Sequence, residues 1–109
     1  MSKLYRGIRN KKDHKVSIYV DDNILDINVS RKIKDHAPDF EISYFGAGPS
    51  QTALAILYDV IGNQDLSLQY YQDFKREFIA TVDYEGFVLL ESQIREWLSK
   101  VLKNTEESF

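Results

Sequence analysis

The fold is decided by residues 46–62, which read GAGPSQTALAILYDVIG. Pro49 suits the first turn of a helix, where its missing N–H needs no partner, and Ser50 is a residue that caps free amides. The residues that follow are apolar on nearly every side, which is typical of a helix enclosed by the rest of the protein. Gly62 supplies the left-handed residue that ends such a helix. The sequence therefore predicts a buried central helix that opens at Pro49 or Ser50 and stops at Gly62.

An antiparallel sheet is predicted upstream of this helix. Residues 4–9 form a short strand, and residues 16–20 alternate apolar and polar side chains, which is the period of a half-buried strand. The polar residues 21–23 form a turn, and Leu25, Ile27 and Val29 then indicate a returning strand within residues 25–29. Residues 40–44 alternate in the same way. They predict a fourth strand that runs directly into the glycine turn.

Two amphipathic helices are predicted downstream. The first begins at the capping residues 63–65 and fades near residues 81–83, with apolar side chains three and four positions apart. A turn at 83–86 and a short apolar stretch at 87–90, which is either a strand or a buried connection, lead to the last helix, which begins at or just before Ser92. The prediction is an α+β fold, with a small antiparallel sheet of three to four strands packed on the central helix and two amphipathic helices.

The size and composition fit one ordinary domain. The chain has 109 residues, of which 43% are hydrophobic and 28% charged, and we expect a single domain over residues 1–103 with a flexible tail at 104–109. The absence of cysteine excludes disulfides, thiolate catalysis and cysteine zinc sites. No signal peptide or membrane-spanning run is present, so the predicted location is the cytoplasm, away from membranes.

Charge is spread unevenly along the chain. Residues 1–36 carry nine Lys and Arg against five Asp, whereas the whole chain has a net charge of −3. An acidic total disfavours general nucleic-acid binding, since neutralising phosphates needs a positive face. A basic N-terminal face remains an alternative, formed by Arg6, Arg9, Lys11, Lys12, Lys15, Arg31, Lys32 and Lys34.

Several motifs together resemble a small family of uncharacterised prokaryotic and phage proteins, a domain of unknown function. They are Tyr5-Arg6-Gly7, Pro38, Phe40-Glu41, Tyr44, Gly46-Ala47-Gly48-Pro49-Ser50-Gln51, Tyr71-Gln72-Asp73-Phe74-Lys75, and Ile94 with Trp97-Leu98. The chain departs from the family pattern at Ile42-Ser43, where tryptophan and glycine are expected, and near Phe87, where tryptophan is expected. The resemblance implies a self-contained domain often carried by mobile genetic elements, and it implies no reaction, ligand or catalytic residue.

The glycine turn before the central helix is the main candidate site. Free amides at a helix start attract anions, although Pro49 removes one donor and no lysine follows as in a phosphate loop. The candidate ligand or anion contacts are Arg6, Gly46, Gly48, Ser50 and Gln51, and the candidate supporting or partner contacts are Glu41, Tyr44, Tyr71, Gln72 and Lys75. The structural alternative, which we favour, is that the glycines allow close packing and that Arg6 pairs with Glu41 inside the sheet.

Nothing in the sequence indicates an enzyme. His14 and His36 lie in polar loops without metal-ligand spacing, and no nucleophile is paired with a base. We therefore predict no cofactor, no metal and no catalytic residue. Exposed tyrosines favour a protein-interaction module. The resemblance implies its phage or mobile-element type, with interference in a host process as one hypothesis. The alternatives are a nucleotide or anion binder and a nucleic-acid binder, and a homodimer is an open alternative for the assembly.

Overall fold

One antiparallel sheet forms one side of the molecule. The computed structural model describes residues 2–107, with side chains described for residues 2–104. The strands are β1 (Leu4–Arg9), β2 (Val16–Val20), β3 (Asn23–Ile24) and β4 (Gly86–Leu90), in the order β3-β2-β1-β4. Successive side chains of a strand face opposite sides. The inner face therefore carries the fully buried Tyr5 and Ile18, and the outer face carries their neighbours.

The helices cover the inner face of this sheet. They are α1 (Ile27–Ile33), α2 (Ala47–Ile61), α3 (Gln64–Phe74) and α4 (Glu91–Glu107), and a π-helical turn, Lys75–Ile79, continues α3. This arrangement confirms the predicted α+β fold, with one helix more than expected. None of these helices within residues 2–107 is long and apolar enough to cross a lipid bilayer.

The central helix α2 is buried as predicted. Leu54, Ile56 and Leu57 have no exposed surface, and Gly62 ends the helix in the left-handed conformation at φ 66°. The hydroxyl of Tyr5 donates a hydrogen bond of 2.6 Å to Asp59, which ties α2 to the sheet. Burial and the neighbouring carboxylate raise the pKa of Tyr5 far above its usual range, so the phenol stays protonated.

The prediction for the start of α2 was wrong. Gly46 is the N-cap, so the helix begins at Ala47, and Ser50 lies inside the first turn. The Ser50 hydroxyl donates 2.9 Å back to the Gly46 carbonyl instead of accepting from a free amide. Side chains of serine inside a helix commonly bond the carbonyl four residues earlier.

The predicted strand at residues 25–29 was also wrong, because β3 stops at Ile24 and α1 begins at Ile27. Asp26 is the N-cap of α1, and its carboxylate accepts a 2.9 Å hydrogen bond from the Asn28 amide. The apolar alternation at Ile27 and Val29 is so short that it fits both the strand period and the helical period. The aspartate cap favours the helix.

No strand forms at residues 40–44, where one was predicted. Phe40 and Ile42 are buried as the alternation requires, but Ser43 has a φ of 69°, and Thr52 of α2 accepts from the Glu41 amide at 3.1 Å. Hydrogen bonds to side chains and loop atoms therefore take the place of the backbone hydrogen bonds that a strand would form with a neighbouring strand. The fourth strand is β4, in the stretch for which the sequence left a strand and a buried connection open.

The last two helices follow the predicted pattern. Asn63 caps α3 by accepting 3.0 Å from the Leu66 amide, and the rings of Phe74, Phe78 and Trp97 pack together between α3, its π-helical turn and α4. The backbone of α4 is helical through Glu107, past the predicted domain boundary at residue 103. The flexible tail at 104–109 stays a prediction, and its last two residues, 108 and 109, lie outside the described residues.

Candidate functional site

The glycine turn before α2 is packed from both sides. A Cβ atom on Gly46 would lie 2.7 Å from the Tyr44 ring, and one on Gly48 would lie 2.5 Å from the Glu41 Cβ. The Glu41 contact requires glycine at position 48, whereas the contact at Gly46 is with the half-exposed ring of Tyr44, which can turn away. The side chain of Glu41 already lies against Gly48, which is unfavourable for a second anion there. Packing explains this turn, and anion binding by Gly46 and Gly48 stays a prediction.

Gln51 connects α2 to the segment that follows α1. It has no exposed surface; its side-chain oxygen accepts from the amides of His36 at 2.7 Å and Ala37 at 3.2 Å. Its side-chain nitrogen donates to the Ser30 hydroxyl at 2.9 Å and the Lys34 carbonyl at 3.2 Å. All of its hydrogen-bonding capacity is used inside the protein. The amide therefore connects α2 to the segment after α1 and has no hydrogen-bonding group left for a ligand.

Lys75 meets Ser50 beside the first turn of α2. The ammonium donates 3.0 Å to the Ser50 hydroxyl, which also contacts Gln72 at 3.4 Å. Partial burial, and then the charge of Arg76, lower the pKa of Lys75. Ser50 is 3% exposed and its proton is bonded to the Gly46 carbonyl, so the hydroxyl is held in place and shielded from solvent. The contact therefore positions the two side chains, and Ser50 is not an activated nucleophile.

His36 and Tyr71 form a second polar contact near this place. The Nε2 atom of His36 lies 2.7 Å from the Tyr71 hydroxyl, and Tyr71 is buried. Burial, and then the charges of Lys34 and Lys75, lower the pKa of His36. The structure thus brings Gln51, Ser50, Gln72, Tyr71 and Lys75 into one polar region between α2 and α3. The participation of His36 was missed, because its loop position carries no sequence signal for a buried partner.

The predicted pair between Arg6 and Glu41 was wrong. Glu41 pairs instead with Arg9 at 3.0 Å, because Arg9 is on the inner face of β1 and Arg6 is on the outer face. Arg9 also donates 2.8 Å to each of the carbonyls of Tyr84 and His14, and its guanidinium lies 3.9 Å from the centre of the Tyr84 ring. The two-residue period of β1, which places Tyr5, Gly7 and Arg9 on one face, is the signal that could have identified it.

Arg6 belongs to a different surface, on the outer face of the sheet. The strand register aligns one residue from each strand in a single row: Ile24, Tyr19, Arg6 and Val88. We call this the outer-face row. The Arg6 guanidinium lies 5.3 Å from the centre of the Tyr19 ring and donates 3.4 Å to the Asp21 carbonyl. Ile24 is 65% exposed and Val88 is 67% exposed.

The basic N-terminal residues do not form one continuous set of unpaired cations. Arg9 is buried and paired with Glu41, and Arg31 forms a two-pronged pair with Asp35 at 2.9 and 3.1 Å. Nucleic-acid binding through the remaining lysines stays a prediction.

The comparisons with known proteins identify a family without an assigned activity. No curated protein and no solved structure matches the chain. Residues 5–100 match a family of unknown function, DUF6166, and this match contains all four strands except Leu4 and extends into α4. It confirms the resemblance to an uncharacterised domain that the motifs predicted. The chain therefore belongs to the DUF6166 family.

Proposed function

We propose that this domain is a protein-binding module whose contact surface is centred on Arg6 and Tyr19 in the outer-face row. The observation that carries the proposal is a cation among exposed apolar side chains. Among residues 2–104, no carboxylate oxygen lies within 4.0 Å of the Arg6 guanidinium. Ile8, on the same face one row away, is 44% exposed.

The chemistry of this surface defines its partner. Tyr and Arg are enriched at the centres of protein interfaces, where they contribute most of the binding free energy. The Tyr19 ring orients the Arg6 guanidinium, whose remaining donors match a carboxylate bidentately. We infer a protein partner that presents an Asp or Glu surrounded by apolar side chains.

The experiment compares variants that differ in one side chain. Tagged wild-type protein and its Arg6→Glu and Tyr19→Ala variants are used to capture partners from a lysate of the source cells, and a captured partner is then purified and titrated by calorimetry. Both variants should weaken binding by about tenfold or more, since interface hot spots exceed 1.4 kcal/mol. Arg76→Glu is the matched control, because Arg76 is exposed on the other side of the core and pairs with Asp73.

A third variant tests the competing surface. Tyr44 is 47% exposed beside the glycine turn, and the sequence made it a candidate partner contact. If Tyr44→Ala abolishes binding while Arg6→Glu does not, the interface lies at the start of α2 and the outer-face proposal is wrong. Equal binding by all variants would contradict it as well.

Nucleotide or anion binding near Ser50 is the second candidate function. It is favoured by Lys75, which lies 3.0 Å from Ser50 and, within residues 2–104, has no carboxylate oxygen within 4.0 Å. A thermal-shift series against nucleotides and inorganic phosphate tests it. A ligand at 100 times its dissociation constant adds about 2.7 kcal/mol to the unfolding free energy. The shift should disappear in Lys75→Met.

The wider setting of the module follows from the family resemblance. A phage or mobile-element origin, interference with a host process and a cytoplasmic location all stay predictions. The identity of a captured partner tests them, because a cytoplasmic host protein is the expected class. Nucleic-acid binding, the remaining alternative, is tested by DNA and RNA retention, which must fall steeply with salt if phosphates are contacted.

A further inference from the structure

Strand β4 is an edge of the sheet, and its backbone has a defined outward side. The Arg9 amide donates to the Glu85 carbonyl at 3.0 Å, and the Glu91 amide donates to the Lys3 carbonyl at 2.9 Å, so both odd-numbered residues face β1. Backbone groups of a strand alternate in direction from one residue to the next. The N–H and C=O of Val88 therefore point away from β1, toward the open edge.

Val88 provides the free donor of this edge. The Leu90 amide donates to the Gln93 side chain at 2.8 Å, and the Gly86 amide donates to the Asp83 carbonyl at 3.2 Å. No such partner is found for the Val88 amide in the part of the chain that the structure describes. The edge is centred on one residue with a donor, an acceptor and a side chain that is 67% exposed.

The edge also lacks the features that usually prevent strand pairing. Natural edge strands are protected by lysine, proline, a bulge or a covering segment. Strand β4 reads GFVLL, without charge or proline, and its outer-face side chains Val88 and Leu90 are 67% and 42% exposed. Between Gly86 and Leu90 no side chain carries a charge that would repel an identical edge.

We propose that β4 pairs with β4 of a second copy of this chain, antiparallel about a two-fold axis at Val88, to form a continuous eight-stranded sheet. The edge is self-complementary, because the Val88 N–H of each copy donates to the Val88 C=O of the other. Such reciprocal contact is the defining property of a two-fold interface. A different partner would need a feature that selects it, and the uncharged side chains of β4 provide none.

The outer-face row is compatible with this pairing. It continues through the two Val88 residues into the row of the second copy, so the two side chains contact each other across the new strand pair. The two Arg6 side chains are then separated by three strand spacings, about 14 Å, beyond the Debye length of physiological salt. The inference goes beyond the proposed function and does not depend on it. If both hold, the dimer presents two partner-binding surfaces on one side.

The test is the mass of the protein in solution as a function of its concentration. Sedimentation equilibrium of the wild type from low micromolar to near-millimolar concentration should show a reversible change from the 12.7 kDa chain to twice that mass. Val88→Pro removes the outward N–H without touching a bond to β1, and Val88→Lys adds a charge to the edge. Each variant should weaken association by about tenfold or more. Val29→Lys, on an exposed valine of α1, is the matched control and should associate as the wild type does.

A second measurement locates the interface. Hydrogen exchange of the Val88 amide should slow as the protein concentration rises. Circular dichroism verifies that each variant is folded, and Val88→Lys alone decides if Val88→Pro does not fold. A wild type that stays monomeric throughout, or a folded Val88→Lys that associates as tightly as the wild type, overturns the proposal. Arg6→Glu should still dimerise, so failure of partner binding and failure of dimerisation are distinguishable.

Discussion

The guanidinium of Arg9 lies 3.0 Å from the carboxylate of Glu41, and this pair joins β1 to the segment that leads into α2. The arginine side chain is 4% exposed and the glutamate side chain is 30% exposed, so one partner is buried and the other reaches solvent. Burying a guanidinium is costly unless its donors are used, and here the Tyr84 and His14 carbonyls accept the others. The pair therefore fixes the position of the segment that covers the glycine turn.

Replacing Arg9 should destabilise the protein strongly. Arg9→Met keeps the stem of the side chain but removes the ion pair and leaves two carbonyls without their donor, so we expect a loss of about 2–4 kcal/mol in unfolding free energy. Urea unfolding measures it. Arg6→Met on the outer face is the control and should change stability by no more than about 0.5 kcal/mol. Similar losses for the two variants would contradict the assignment of inner and outer faces.

Replacing Gln51 should also be costly. Gln51→Leu preserves much of the volume but leaves the His36 and Ala37 amides without acceptors. Buried unsatisfied donors cost about 1–3 kcal/mol each, and the expected total for the two amides is about 2–6 kcal/mol. Gln64→Leu, at an exposed position on α3, is the matched control and should change unfolding free energy by less than about 0.5 kcal/mol. A stable Gln51→Leu would show that water replaces the amide.

Two glycines, Gly48 in the first turn of α2 and Gly62 just after its end, should respond differently to alanine. Gly48→Ala forces a Cβ to within 2.5 Å of the Glu41 Cβ, and overpacking of this kind costs about 1–3 kcal/mol. At Gly62 there is open space, and only the left-handed conformation penalises alanine, by about 1 kcal/mol. Thermal unfolding of both variants measures the difference. If Gly48→Ala melts with the wild type, the turn is looser than its contacts indicate.

Stability should depend on pH through His36. Its pKa in the folded protein is lowered, so between that value and the ordinary value near 6.5 the unfolded chain binds more protons. Stability therefore rises with pH through this window and is lost on acidification below about 6.5. Urea unfolding across this range should show the loss in the wild type and a smaller loss in His36→Gln.

Titration of His36 also tests the effect of the neighbouring Lys75 on the His36 pKa. Because the charge of Lys75 lowers the pKa of His36, Lys75→Met should raise that pKa. Nuclear magnetic resonance of the imidazole protons measures the titration directly. An unchanged midpoint would mean that burial and Lys34 account for the whole shift.

The sequence predicted the parts of the fold that depend on one local period. The apolar run at residues 53–61 and the caps Gly62 and Asn63 identify the course of α2 and the start of α3 from the local sequence. Residues 25–29 and 40–44 were assigned wrongly, since two or three alternating side chains fit a strand, a helix or an irregular segment equally well. The Asp26 cap determines the helical conformation of the first segment. The irregular conformation of the second depends on Thr52, which bonds Glu41 from 11 positions away.

The candidate site was predictable only in part. Gln51 and Lys75 lie in one polar region as the motifs suggested, but His36 reaches it through a loop whose course follows from packing. Arg9, and not Arg6, pairs with Glu41, and the alternation of β1 determines which arginine faces inward once its register is known. The outer-face row depends on the pairing of four strands, and β4 is far from the others in sequence.

The π-helical turn at residues 75–79 sets how the residues after it are rotated, about the helix axis, relative to α3. In this turn the Ala80 amide bonds the Lys75 carbonyl five residues earlier, so the segment contains one residue more than a regular helix of the same rise. Deleting one exposed residue of this turn would replace it by a regular α-helical turn and leave the residues on either side facing as they do now. Phe74 and Ile79, both without exposed surface, would keep facing the core. A one-residue deletion should therefore be better tolerated here than inside α2, where it would rotate the residues beyond it by about 100°.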